Sequence, residues 1–436
     1  MSILETKAQS FFDRQERISW WDQNRLLNAR VLVVGAGALG NEALKNLALL
    51  GVGRILVIDF DTIEDSNLSR TVLFRTADAK DGAAKAQVAA ARAKELNPHP
   101  GSVVRPIHGD VVWDLGVGVF RHVDVVLGCL DNLEARLAVN LNCWRTNKPW
   151  IDGAMWELSG SVAVYDASSE KACYECSMTE EHYEQAKIRY SCSNETVKTH
   201  IRKGYEPTTQ TTSAVIAALQ TQEMVKLLHG LHSFPGRRLI FNGADHFYTD
   251  GERSPMSTIE LAQNPDCLCH HEERYDKVLE LGQAQATKTT ARQLLEMVAT
   301  ETGWETVRLE LGRRFVVGAT CSQCGQYLEI CRPLHLVEDK DAVCPSCEVT
   351  CPTCGFISVG QPDCPNCGQQ DISELQIHAL HTISMGDLDA EPFLDFELIR
   401  LGIPPLHIVK ARNEAGESID IEISGDLASL WNTNPE

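Results

Sequence analysis

The stretch VLVVGAGALG, residues 31 to 40, together with ILVIDFDTIEDSNLSR, residues 55 to 70, decides how this chain folds. Val31 to Val34 form a short unbroken apolar run, as a strand covered on both faces requires. Gly35, Gly37 and Gly40 follow at the spacing of a dinucleotide fingerprint, where the lack of side chains lets the backbone turn sharply and approach phosphate. A helix is expected from about Asn41 to Leu50, its positive end facing an anionic ligand. The second apolar run, ILVID, ends on Asp59, 19 residues after Gly40, where a carboxylate can hold ribose hydroxyls. This much predicts one Rossmann-type half of an α/β fold.

The continuation narrows the chemistry. Asp61, Ser66, Asn67, Arg70 and Lys85 follow the glycine turn, and two cations, an amide and a hydroxyl beside a phosphate-binding loop suit a triphosphate better than hydride transfer. Residues 103 to 108 and VDVVLGCL, 123 to 130, read as further strands, which puts Asp131 at a strand's carboxyl end, where open parallel sheets keep their ligand groups. Capping of the next helix is an ordinary alternative for Asp131, compatible with the first. The alanine-rich AAKAQVAAARAKELNP is helical up to Pro98, with Lys85 near its start.

GAGALG at 35 to 40, DFDTIEDSNLSRTVLFR at 59 to 75, the lysine of AAKAQVAAA and CLDN at 129 to 132 resemble the adenylation domain of ubiquitin-activating enzymes and their sulfur-carrier relatives, the molybdopterin-synthase and thiamine-pathway adenylyltransferases. The resemblance covers roughly residues 10 to 270. It implies ATP over Gly35, Gly37 and Gly40, Asp59 on the ribose, Asp61, Ser66, Asn67, Arg70 and Lys85 around the nucleotide, and Mg2+ held with Asp131. It also implies a homodimer in which Arg14, in the DRQER segment, reaches the neighbour's triphosphate. Read without the resemblance, Arg14 and Arg17 are surface arginines on a solvated helix.

Composition bounds the rest. The 436 residues suggest two or three domains, with 43% hydrophobic and 23% charged residues, an ordinary globular balance. A net charge of -20 argues against nucleic acid as a general partner. The amino-terminal segment has neither a basic start nor an apolar core, and no run approaches the ~18 apolar residues of a membrane span, so a soluble, cytoplasmic protein is expected. Ten of the sixteen cysteines fall in five C-x-x-C pairs, which favours zinc in a reducing compartment over a disulfide scaffold.

The first pair, Cys173 and Cys176, is expected to join Cys267 and Cys269 in DCLCH about 90 residues on, clipping the domain's end to its middle. A structural zinc there matches the two cysteine pairs of the resembling family. The C-x-C spacing leaves the fourth ligand open between Cys269 and one of His270 and His271. Cys192, in RYSCSNETVKTH, lies in a polar, accessible loop near Arg189, Lys198 and Arg202, charges that can lower a thiol pKa. Taken alone it is an incidental thiol. The resemblance implies a nucleophile that attacks the adenylate and becomes a thioester, ahead of a helix over Ser213 to Leu228. Cys129 and Cys143 read as core residues.

Beyond residue 272 the resemblance ends. A helix is expected over TTARQLLEMVAT, 289 to 300, and a strand over ETVRLELGRRFVVG. Four C-x-x-C pairs then make two zinc knuckles, in sequence order Cys321, Cys324, Cys344 and Cys347, then Cys351, Cys354, Cys364 and Cys367, with interleaved pairing as the alternative and Cys331 as a spare that could substitute. Filled thiolate cages are structural, and few basic residues lie between these cysteines, so protein docking is favoured over nucleic acid. The strands LQIHALHTI, LHIVKAR and SIDIEIS, with a helix around FLDFELIRLG, complete the chain.

The expected organisation is therefore a Rossmann-like doubly wound adenylation domain (1–272), a small α+β segment (273–320), zinc knuckles (321–370) and an α+β docking module (371–436). The expected function is ATP-dependent activation of a ubiquitin-like protein with a C-terminal glycine, by adenylation and then thioester transfer to a conjugating enzyme. The resembling family includes single-chain activating enzymes of this build in bacterial conjugation systems, antiviral ones among them. A sulfur-carrier adenylyltransferase and a non-catalytic scaffold are the alternatives.

Overall fold

The computed structural model describes residues 10–183, 208–243, 255–338, 341, 343–350, 357–359 and 375–431. Strand β1 (Arg30–Val34) is central because its four apolar residues are covered on both faces. It pairs in parallel with β2 (Arg54–Asp59) and β4 (Val125–Gly128), and β3 (Val103–His108) and β5 (Trp150–Trp156) extend the parallel sheet on either side. Antiparallel β6 (Ser159–Tyr165), β7 (Arg237–Phe241) and β8 (Met256–Glu260) complete eight strands in the order β3-β2-β1-β4-β5-β6-β7-β8. Successive strands run outward from β1 through β2 to β3 and then restart on its other side at β4. That reversal is a switch point between β1 and β4, at whose carboxyl ends open α/β sheets bind their ligands.

Helices cover both faces. Ala38–Leu49, Lys85–Leu96 and Gln210–Leu228 bury Leu44, Leu47, Ala89, Ala93, Ile216 and Met224 against Val31, Val33, Ile55 and Val57. In Lys85–Leu96 the buried residues are Ala86, Ala89, Ala90 and Ala93, a stripe at helical spacing whose small side chains let the helix lie close to the sheet. On the opposite face Leu133–Arg145 and Gly118–Arg121 set Val139, Cys143 and Phe120 against Leu32, Leu56 and Val126. This is the doubly wound α/β arrangement expected from the sequence.

A second sheet contains β9 (Val278–Glu280), β10 (Arg308–Cys321), β11 (Tyr327–Pro333), β14 (Leu375–Ser384), β15 (Ile408–Arg412) and β16 (Ser418–Glu422). Its order is β11-β10-β15-β16-β9, with β14 also on β10. Strands from both sides of the cysteine array therefore share one sheet, and the array is an excursion carrying the hairpin of β12 (Glu348–Thr350) and β13 (Ile357–Val359). The Ala291–Thr302 helix starts in a Thr290–Gln293 capping box, stops at Gly303 (φ 73°) and buries Leu294, Leu295 and Val298 on Leu309, Phe315 and Ile421.

The helix expected around FLDFELIRLG is absent. Two 3-10 turns, Glu391–Phe393 and Leu398–Leu401, take its place. Pro392 sits in the first turn of the first, and backbone groups between them bond elsewhere: Ala291 N–H donates to the Phe396 carbonyl (3.1 Å) and Leu398 N–H to the Thr289 carbonyl (3.0 Å).

The two sheets are docked on each other. Gly118 N–H donates to the Leu406 carbonyl at 2.8 Å, and a Cβ added at Gly116 would lie 2.1 Å from the Pro405 oxygen, so backbone meets backbone there. Leu406, Leu427 and Leu430 enter the core beneath β1 and β2. Glu422, fully buried, accepts from Arg121 and meets His122 Nε2 at 2.6 Å. Burial alone would raise its carboxyl; the hydrogen bond and charge of His122 and the charge of Arg121 outweigh that and hold it below the ordinary 4.5. A depressed folded-state pKa gives stability that is complete above the unfolded value and lost as pH falls through the folded one. Acid titration is thus expected to weaken docking below pH ~4.5, and Glu422→Gln to cost about 3 kcal/mol at neutral pH while flattening that acid limb in thermal unfolding.

Candidate nucleotide and metal sites

Gly35 sits at φ +96°, donates its N–H to the Ile58 carbonyl at 2.8 Å, and has no room for a side chain, since a Cβ would lie 2.3 Å from the Cys129 carbonyl oxygen. Gly40 packs equally close, a Cβ there falling 2.0 Å from the Gly35 oxygen. Gly37 differs. It caps the Ala38–Leu49 helix with no side-chain hydrogen bond, and a Cβ would meet nothing within 4 Å. The helix's amino end, which starts three residues earlier than expected, thus faces open space with its first N–H groups available to an anion. Asn41, which the sequence reading passed over, braces the turn: its Nδ2 donates to the Ala36 and Gly37 carbonyls (2.7 and 3.0 Å) and its Oδ1 accepts from Leu73 N–H (2.9 Å).

Asp59, at the end of β2, accepts from Ala36 N–H at 2.7 Å and Asp61 N–H at 2.8 Å. Burial raises its pKa above the ordinary carboxylate value, opposed by the Ala36 N–H and by Lys85. Each carboxylate oxygen keeps a second lone pair for a ligand hydroxyl. Lys85 begins the Lys85–Leu96 helix, and its Nζ lies 2.8 Å from Asp61 Oδ2. Its backbone N–H also donates to the Asp61 carbonyl at 2.9 Å, so loop and helix are joined twice. Between them, Asn67 is buried and accepts Glu64 N–H on Oδ1 (3.0 Å), while Arg70 Nη1 donates to the Ser66 carbonyl (2.9 Å).

Asp131 is exposed just past β4. The cap of the Leu133–Arg145 helix is Asn132, whose Oδ1 accepts Ala135 N–H at 2.8 Å, and Asp131 is left without that duty. Cys129 N–H donates to the Val34 carbonyl at 2.8 Å, which sets this loop beside the glycine turn. Burial pushes the Cys129 and Cys143 thiols up, in keeping with core roles. Arg14 is not brought to this turn. It is exposed on the short Asp13–Glu16 helix, whose neighbour Phe12 packs at Gly51, at the far end of the Ala38–Leu49 helix, about 18 Å along the axis from Gly37. Cys192 lies outside the described residues.

Two groups of side chains have metal-ligand geometry. The first is Cys173, Cys176, Cys267 and His270, with ligand atoms all within 4.8 Å of one another. Its Sγ–Sγ distances of 3.6 and 3.8 Å, and 3.8 Å from Cys176 Sγ to His270 Nε2, match the edge of about 3.8 Å expected for a tetrahedron of ligands ~2.3 Å from an ion. His270 is oriented by stacking on Trp144 at 4.5 Å. Cys269, the other candidate for the fourth position, is buried beside the group, and Asn140 Nδ2 donates to both its Sγ (3.2 Å) and that of Cys173 (3.5 Å). The second group is Cys321, Cys324, Cys344 and Cys347, with Sγ–Sγ distances of 3.7 Å for Cys321–Cys347 and Cys324–Cys344. Backbone N–H groups of Cys324 and Gln323 pull the Cys321 thiol down to about 7. Cys351, Cys354, Cys364 and Cys367 lie outside the described residues.

Residues 11–269 match the model of the ThiF family. The chain is 34% identical over 179 residues to a molybdopterin-synthase adenylyltransferase of Salmonella typhimurium, covering 40% of this chain and 70% of that protein. It is 35% identical over 175 residues to SUMO-activating enzyme subunit 2 of Dictyostelium discoideum, covering 40% of this chain but 24% of that protein. Among solved structures, E. coli MccB with ATP aligns over 60% of this chain and 75% of that one, with 23% identity and a TM-score of 0.46.

Proposed function

Because this chain belongs to the ThiF family, whose model spans the whole sheet that bears the glycine turn, we propose that it is an ATP-dependent adenylyltransferase acting on the C-terminal carboxylate of a small ubiquitin-like or sulfur-carrier protein. The observation that carries this reading is the crowding of Gly37, Asp59, the Lys85–Asp61 pair and Asp131 at the carboxyl ends of β1, β2 and β4. In the proposed reaction ATP lies along the turn with its phosphates toward the helix end. A carboxylate oxygen of the carrier bonds to the α-phosphorus as the bond to the bridging oxygen breaks, and pyrophosphate leaves with the electron pair. Lys85 and Arg70 stabilise the charge that develops, and no general base is required because the attacking carboxylate is already ionised. Mg2+, when bound, would neutralise phosphate charge, and Asp131, exposed just past β4, is the carboxylate we assign to help hold it. Arg14 of a second copy is proposed to complete the site, since its own chain holds it far away.

The finer reading is that the Cys192 thiolate then attacks the acyl carbon, releasing AMP and leaving a thioester for a conjugating enzyme. A second reading ends at the adenylate, which passes to a sulfur donor, and the name of the Salmonella relative favours it as much as that of the Dictyostelium relative favours the first. With ATP, Mg2+ and a carrier ending in glycine, the first reading predicts a reducible protein–carrier adduct on a non-reducing gel. That adduct is lost in Cys192→Ala while pyrophosphate release continues. Pyrophosphate release without an adduct assigns the chain to the second.

We assign zinc to both ligand groups, as structural ions with every position filled by protein. Metal analysis is expected to show one zinc fewer in His270→Ala and an unchanged content in Cys269→Ser. The reverse pattern would restore Cys269 as the ligand.

A further inference from the structure

The loop that presents Asp131 is gripped from below by a buried guanidinium that the adenylation chemistry leaves unassigned. Arg136 lies on the Leu133–Arg145 helix one turn after Asn132. Its Nε donates to Asp152 Oδ1 at 3.0 Å, and its Nη2 to the Leu130 carbonyl and, at 3.4 Å, to the Gly153 carbonyl. The side chains of Arg136 and Asp152 are 14% and 6% exposed. Asp152 stands on β5 opposite Gly128, the last residue of β4 before the loop. Gln220 reinforces the same edge from the other face, its Nε2 donating to the Gly128 and Ile151 carbonyls at 2.9 and 2.7 Å.

These bonds fix the loop at Gly128, at Cys129 N–H, at the Leu130 carbonyl and at the Asn132 side chain, and leave the Asp131 side chain exposed, close enough for its charge to act on Arg136. A buried ion pair is a weak source of stability, because desolvating both charges offsets their attraction. Its distinctive contribution here is direction: a planar fork held by one carboxylate can grip a carbonyl at a set angle. Resting on the adenylyltransferase reading, we propose that Arg136, aligned by Asp152, is a positioning residue that fixes the Leu130–Asp131 peptide and so aims the Asp131 carboxylate at the metal–nucleotide group.

The test compares Arg136→Met, Arg136→Lys and Asp131→Asn, singly and with Arg136→Met and Asp131→Asn combined, in the full chain. Two readouts are used: binding of Mn2+ with a non-hydrolysable ATP analogue by electron paramagnetic resonance, and carrier-dependent pyrophosphate exchange against Mg2+ concentration. The expected result is an approximately tenfold weaker Mn2+–nucleotide affinity and a matching rise in the Mg2+ requirement for Arg136→Met, with partial recovery in Arg136→Lys. No further loss is expected when Arg136→Met is added to Asp131→Asn. Unchanged metal dependence in folded Arg136→Met, or independent multiplication of the two effects, would overturn the proposal. If Arg136→Met does not fold, Arg136→Lys carries the same comparison. Failure of exchange in the wild type would count against the adenylyltransferase reading, while the Mn2+ titration would still decide the role of Arg136.

Discussion

Lys85→Ala is expected to slow ATP–pyrophosphate exchange by about 100-fold or more at saturating ATP, with little change in fold. Lys85 is 11% exposed, anchored at the first turn of its helix and aimed across the loop at Asp61, so its ammonium is already in place before substrate binds. A preorganised cation facing developing negative charge is worth about 2.7–4 kcal/mol to a transition state when a single donor of this kind is removed. The structural cost is small by comparison. Asp61 is 49% exposed and returns to water when the lysine is lost, so the pair contributes roughly 1 kcal/mol or less to stability. Exchange within threefold of wild type, in a variant whose melting temperature is preserved, would remove Lys85 from the chemistry.

Gly35→Ala is expected to cost about 4 kcal/mol or to prevent folding. Two penalties add at this position: a φ of +96° that side chains rarely adopt, and a Cβ 2.3 Å from a backbone oxygen that has no freedom to retreat, since Cys129 is itself tied to β1. Gly37→Ala makes the contrast. Nothing lies within 4 Å of a Cβ there, so its fold should persist while ATP binding weakens, because the methyl group would occupy the space where phosphate approaches the helix end. Thermal unfolding with and without ATP separates the two. Equal destabilisation of both variants would contradict this division of labour within the turn.

The frame of the candidate nucleotide site was legible because its signals are local. The apolar runs that become β1 and β2, the three glycines, Asp59 and the lysine at a helix start each announce themselves within a few residues. What could not be read depends on partners distant in sequence. Asn41 braces the glycine turn through Leu73, Arg136 reaches Asp152, and Glu422 meets Arg121 some 301 residues away; each is an ordinary polar residue until the fold supplies its partner. The grouping of His270 with Cys173, Cys176 and Cys267 depends on a 3-10 turn, Leu268–His271, which the spacing C-x-C-H does not show. The FLDFELIRLG segment has helical periodicity, yet backbone bonds to residues 286–291 outcompete the helix. Pairing of β10 with β14 across the cysteine array is equally a long-range event, which local patterns cannot register.

Adenylation of a small protein's C-terminal carboxylate is seen most directly by intact mass spectrometry of the carrier. Purified protein is incubated with ATP, Mg2+ and a panel of ubiquitin-like and sulfur-carrier proteins, each intact and with its terminal glycine removed. An added adenylate is expected on at least one intact carrier, accompanied by pyrophosphate, absent from the truncated form and absent with Lys85→Ala. Binding of ATP with no adenylate on any intact carrier, or adenylate formation that ignores the terminal glycine, would contradict it.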